Sequence, residues 1–255
     1  LILKDGSLIF NSSESSLVRV NKCSKIIWIN DNLFHHSKEI DDKNYIYVPL
    51  TDNKDILSYN NLRQDSISVL NLNGQLLEKF NVIDILRDNN IEPFAAYSGN
   101  DPIHLNDIQP VLNDTNYWKK GDLFLSIRSL SLVVLYRPSN NKIIWHSFGP
   151  WIYQHDVDIL NDKEILVFNN NLDFDKKLVN GNNNIIKYNF EDKKYTYPFK
   201  ASFEQNDIRT RTEGRSEIIL NNFLFIEETN YGRILILNNK SEVIFNYINK
   251  YNNIN

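Results

Sequence analysis

One cysteine and no methionine among 255 residues, with only eight glycines and seven prolines, leave several classes of protein without support. A solitary Cys23 cannot close an internal disulfide and lacks the spaced Cys or His partners of a zinc site, so it reads as a packing residue. No apolar run approaches the roughly 20 residues that a membrane helix needs, and no charged-then-apolar leader opens the chain. The net charge of -4 comes without a Lys/Arg run, so neither a nucleic-acid backbone nor an anionic membrane is an expected partner. Leu1 already sits inside what reads as a strand, which together with the missing methionine implies N-terminal truncation and leaves room for a lost signal peptide.

What is present describes a globular protein rich in strand formers: 42% hydrophobic and 24% charged residues, with 13 Tyr and 14 Phe. Disordered and collagen-like classes are excluded. Residues 1–255 are long enough for one large all-β domain, and a single domain is expected.

Two signals repeat along the chain. The first is a hairpin in which a short apolar strand is followed ten residues later by an aromatic: Val18 and Trp28, Leu70 and Phe80, Leu135 and Trp145, Leu235 and Phe245. Turn residues such as Asn73-Gly74 and Pro138-Ser139-Asn140-Asn141 lie between them, and Lys-Ile-Ile-Trp recurs verbatim at Lys25 and Lys142. The second signal is a His or Arg four residues before an Ile, with a further strand after it: His36, His104, His155 and Arg215. Each period offers about four strands, which specifies a β-propeller better than a sandwich or barrel. Gly6 to Trp28 supplies three strands of a first blade and four more blades follow, so about five are represented and six are expected in the intact ring. Only Val82 to Asn90 hints at a helix.

Innermost propeller strands surround one channel, so residues repeated at their starts are expected to converge there. His36, His104, His155 and Arg215 hold that slot, and Arg128, after the next strand of the His104 blade, adds a second guanidinium. Imidazoles and guanidiniums together suit a tetrahedral oxyanion, and neighbouring cations keep an imidazole neutral and nucleophilic. The plainer alternative is that these polar residues tie blade to blade. Glu39, Asp107 and Asp158, three residues after each His, read as such ties. His35 is expected to face away from His36, and His146 to lie on an outer strand without a role in the chemistry.

The segments His104-Leu105-Asn106-Asp107-Ile108, Gly121 to Arg128, Gln154 to Ile159 and Ile165 to Asn170, flanked by Phe34-His35-His36 and Gly214-Arg215-Ser216, resemble the bacterial arylsulfotransferase (arylsulfate sulfotransferase) family over roughly residues 30 to 240. The resemblance implies a six-bladed propeller that moves a sulfuryl group from a phenolic sulfate ester to a phenol through a sulfated histidine, in two steps, without a nucleotide sulfate donor or other cofactor. It marks His155 as the nucleophile and His36, His104, Asn106 and Arg128 as ligands of the sulfuryl oxygens, with one of His36 and His104 handling the proton. Arg215 joins them from the repeat alone, while Tyr97, Trp151 and Tyr153 are aromatics that either stack on a phenyl ring or simply pack. The resemblance also favours the periplasm or export. Oligomeric state stays open, homo-oligomers included. Two rivals remain at this level: a His-ligated metal enzyme, disfavoured by the arginines, and a propeller that only binds.

Overall fold

The structure, a computed structural model, describes residues 1–52, 63–91, 101–173, 175, 178–220 and 223–249. It is all-β apart from short helices and turns, and it divides into two compact units, Leu1–Phe148 and Gly149–Asn255. Among the described residues no helix is long and apolar enough to cross a membrane.

In the first unit, β1 (Leu8–Phe10), β2 (Ser15–Val20) and β3 (Ile26–Phe34) form one antiparallel run, and β4 (Glu39–Ile40), β5 (Ile46–Asp52), β6 (Gln64–Leu70) and β7 (Leu76–Asn81) form the next, with a Phe34–Leu50 pairing joining them. The helix α1 (Val82–Asp88) leads to a third, four-stranded sheet of β8 (Leu105–Pro110), β9 (Leu123–Ile127), β10 (Leu132–Arg137) and β11 (Lys142–Ser147). The expected helix at Val82 forms because Asn81 caps it, its side chain accepting from the Asp84 amide at 3.1 Å, while Val82, Ile83, Ile85 and Leu86 bury against β6 and the third sheet.

The second unit holds two more antiparallel four-stranded sheets. One is β12 (Val157–Asn161), β13 (Glu164–Asn169), β16 (Asn184–Asn189) and β17 (Lys194–Thr196), with a small hairpin of β14 (Leu172–Asp173) and β15 (Leu178–Val179) inserted after β13. The other, reached through α2 (Lys200–Gln205), is β18 (Arg215–Ile219), β19 (Phe223–Glu228), β20 (Arg233–Leu237) and β21 (Val243–Ile248).

All four expected hairpins are present. Leu135 pairs directly with Trp145, Arg19 with Trp28, Ile67 with Phe80 and Ile236 with Phe245. Each carries a register shift close to its turn, which is the extra residue of a bulge. Three of the turns share one device. The side-chain oxygen of Asn21, Asn71 and Asn238 accepts the amides two and four residues on, and the loop then closes through a left-handed residue, Ser24, Gly74 or Ser241. At Gly74 no side chain fits, since a Cβ there would lie 2.6 Å from the Trp28 ring.

Burial falls off at the last strand of each run. β9 and β10 are buried on both faces, β11 alternates and β21 is exposed throughout. That gradient turns the unbroken run Leu-Val-Val-Leu-Tyr into a strand with apolar neighbours on either side rather than a helix.

Candidate functional site

The repeated slot lies at the start of the first strand of each four-strand run: His36 before β4, His104 before β8, His155 before β12, and Arg215 opening β18. The backbone treats these positions differently. His36 and His104 are both left-handed, with φ of 52° and 50°. For a residue with a Cβ this conformation costs about 1–2 kcal/mol, and it is tolerated here because the flanking chain is fixed. Ser37 N donates to the Asn106 carbonyl at 3.3 Å, Arg128 N donates to the His104 carbonyl at 3.1 Å, and Leu105 N donates to Asp65 at 2.7 Å.

Those two turns bring the imidazoles together. Their Nε2 atoms are 3.0 Å apart and the ring centroids 4.9 Å. A hydrogen bond between two ring nitrogens needs a proton on one and a lone pair on the other, so at least one ring is neutral. Asp101 decides which tautomer His104 adopts. Its Oδ2 is 2.5 Å from Nδ1 of His104, so Nδ1 carries the hydrogen and Nε2 presents the lone pair to His36. Burial pushes the His104 imidazole below the usual histidine range, Asp101 pulls it back up, and the Arg128 and Arg63 guanidiniums push it down again.

Behind this pair runs a line of buried charge. Arg63 donates from Nε to Asp65 at 2.9 Å and reaches Asp101 from Nη1 at 3.4 Å. Asp65 is wholly buried, with His35 Nε2 at 3.3 Å. Burial alone would raise its carboxyl, but His35, Arg63 and the Leu105 amide together hold it down at about 2. His35 therefore has a definite place: it is buried against Asp65, with its ring edge-on to His36 at 5.0 Å. Asn106 is fully buried on β8, and Arg128, half-buried at the end of β9, lies close enough for its charge to act on His104. His146 sits exposed on β11, its ring against Phe148.

In the second unit His155 is nearly buried, with 12% of its side chain exposed, and its backbone continues the ladder through a 2.9 Å bond to the Phe168 carbonyl. Its Nε2 is 3.4 Å from Glu213 Oε2. The next residue, Asp156, accepts the Ser216 amide at 3.1 Å and so ties β12 to β18, as Asp65 ties β6 to β8 in the first unit. The loop before Arg215 is held by amides. Asn170 donates to the carbonyls of Thr210 and Glu213 at 3.2 and 2.9 Å, and Asn183 to those of Asn170 and Thr210 at 2.8 and 2.9 Å. Gly214 closes it at φ 125°, where a Cβ would stand 2.4 Å from Thr210 and 2.8 Å from Phe168. Arg215 is half-exposed and pairs with Glu217 at 3.3 Å. Tyr153 is half-buried in a left-handed turn, Trp151 is buried edge-on to Tyr195, and Tyr97 lies outside the described residues.

Sequence reasoning missed Arg63 and Asp65, which come from another stretch of chain than the histidines they serve, and Asp101, which stands only three residues before His104. It also missed Glu213, although that residue stands directly before the Gly214-Arg215-Ser216 motif.

A search of curated protein sequences gives no match. Among solved structures the chain is similar to a protein of unknown function from Bacteroides caccae, at 15% identity and TM-score 0.59 over 97% of this chain and 80% of that one. It is also similar to virginiamycin B lyase from Staphylococcus aureus, at 12% identity and TM-score 0.53 over 97% and 68%, and to the propeller of Dos1, at 7% identity and TM-score 0.50 over 97% and 57%. At such identities these likenesses speak for the fold alone, and they agree with repeated antiparallel four-stranded sheets of the propeller kind. The arylsulfotransferase (ASST) family model matches residues 1–250, nearly the whole chain: the chain belongs to the arylsulfotransferase family.

Proposed function

We propose that this protein transfers a sulfuryl group from a phenolic sulfate ester to a phenolic acceptor through a sulfohistidine, without a nucleotide sulfate donor. Family membership supports sulfotransferase-type chemistry. The observation that carries the finer reading is the His36–His104 pair, two imidazoles sharing a hydrogen bond beside Arg63 and Arg128. Such a set can bind an oxyanion and move a proton, whereas a divalent cation would meet two guanidiniums.

In this reading a His155 ring nitrogen attacks sulfur while the aryl O–S bond breaks, and the acceptor phenol then attacks the same sulfur as the N–S bond breaks. Dividing one displacement into two gives ping-pong kinetics. His36, His104, Asn106 and Arg128 are assigned the sulfuryl oxygens, whose developing charge they stabilise, His104 doing so in its protonated form. Tyr97, Tyr153 and Arg215 are assigned to the aryl substrates or their approach. The four-stranded sheets are read as propeller blades, six in the intact protein, with export to the periplasm or medium.

The test is nitrophenolate release from p-nitrophenyl sulfate, with and without phenol, by wild type and His155→Ala. Release that depends on phenol and is lost in the variant supports the proposal. Well-folded protein that releases nothing with any phenol overturns it.

A further inference from the structure

We infer that Asp101 is a positioning residue that fixes His104 as the base for the acceptor phenol, and that Arg63 holds Asp101 in place for it. The inference rests on the sulfuryl-transfer reading and goes beyond it, because Asp101 lies in none of the motifs that carry the family resemblance.

An ionised carboxylate can only accept, so the 2.5 Å contact with Asp101 puts the hydrogen of His104 on Nδ1. The lone pair of a neutral His104 is then on Nε2, and a donor already points at it from His36, 3.0 Å away. That is the hydrogen-bonding demand a phenol hydroxyl makes on a general base. When the acceptor takes the place of His36, its O–H bond breaks as the S–O bond forms, the proton goes to His104 Nε2, and the imidazolium is stabilised through Nδ1–H by Asp101. The same proton then serves the departing aryl oxygen of the next donor ester, so no other proton source is needed. The charged groups facing His104 are Asp101, Arg63 and Arg128, with His36 opposite and Lys38 bonded to the His36 carbonyl. Arg63 is itself anchored, since it also holds Asp65 and Glu14.

The experiment compares Asp101→Asn and Asp101→Glu with wild type in two ways. In single turnover without acceptor, the nitrophenolate burst in Asp101→Asn is expected to stay within a few fold of wild type, because nitrophenolate is a stabilised anion that leaves without being protonated. Phenol-dependent kcat is expected to fall by roughly 10²-fold or more with little change in KM for phenol. The acidic limb of its kcat/KM profile should move to lower pH, because the carboxylate that holds the His104 proton on is gone. Asp101→Glu should recover part of kcat. Independently of activity, nitrogen-15 spectra of histidine-labelled protein should place the His104 hydrogen on Nδ1 in wild type and lose that preference in Asp101→Asn. A His104 protonated on Nε2 in wild type, or an Asp101→Asn variant with unchanged kcat and unmoved limb, overturns the inference. A wild type with no burst removes the sulfuryl-transfer reading and the base role with it, while the spectra still decide whether Asp101 sets the tautomer.

Discussion

The two units present the same repeated slot with different means of support. In the first, the strand starts at His36 and His104 are left-handed and backed by charge: Asp101 on His104, Arg63 between two carboxylates, and Asp65 buried against His35. In the second, the His155 backbone stays in the sheet ladder, and the loop before Arg215 is held by the neutral amides of Asn170 and Asn183 and by Gly214. The tie itself is shared, a carboxylate accepting the amide that follows the slot, Asp65 to Leu105 and Asp156 to Ser216. One repeat can therefore keep its backbone tie while the rest of its support is rebuilt, from an Arg–carboxylate line in one unit to side-chain amides in the other. In the second unit the Glu213 carboxylate lies against the His155 ring.

The largest expected effect tests the division of labour. His155→Ala should lower phenol-dependent turnover by about 10⁴-fold or more and abolish the burst, and a peptide containing residue 155 should no longer gain the mass of one sulfuryl group after incubation with donor ester. A burst that survives in His155→Ala would move the nucleophile to the first unit. Next comes Gly214→Ala. The added Cβ meets Thr210 and Phe168, and φ of 125° is strained for any side chain, so the variant should lose about 3 kcal/mol or more in urea unfolding. A loss below about 1 kcal/mol would mean that this loop relaxes freely.

The sequence made the local features legible and left the distant ones out. Hairpins could be read because both strands and their turn lie within about a dozen residues, with the Asn21, Asn71 and Asn238 turns and the Asn73-Gly74 signal inside them. The slots at His36, His104, His155 and Arg215 could be read because the period aligns them. Arg63 could not, since its value depends on a guanidinium and a carboxylate meeting across 38 residues of chain, and Asp101, three residues before His104, falls outside the repeated pattern. The left-handed φ of His36 and His104 also leaves no mark in composition. The helix α2 went unseen because Phe199 at its start gives no side-chain cap, and only Ser202 and Phe203 of its six residues are buried.

A mid-sized prediction separates titrating from neutral support. Asp65 has its carboxyl held at about 2 against an ordinary value of 3.8, so its charged form contributes about 2 kcal/mol of stability. Because the folded-state value is the lower one, that contribution is present above pH 4 and is lost as pH falls through 3.8 towards 2. Asp65→Asn should therefore be less stable than wild type by at least about 2 kcal/mol at pH 6, with the gap closing below pH 4. Asn183→Ala, which removes the side-chain donor to the buried Asn170 carbonyl and one of two to that of Thr210, should cost about 1–3 kcal/mol at every pH. Urea unfolding from pH 2 to 7 reads both, and parallel curves for the two variants would erase the distinction.

The smallest effect asks how much the left-handed slot costs. Asn tolerates φ near 52° better than His, so His36→Asn relieves strain in the first unit while removing the donor that faces His104. Its stability should stay level or rise by up to about 1 kcal/mol. His155→Asn, at a position outside the left-handed set, should gain nothing. If His36→Asn instead loses more than about 1 kcal/mol, the ring's contacts with His35 and His104 outweigh the backbone cost, and the pair is a structural as well as a chemical element. A gain in stability together with lost turnover would show that this turn is kept in a strained form for the sake of the imidazole it carries.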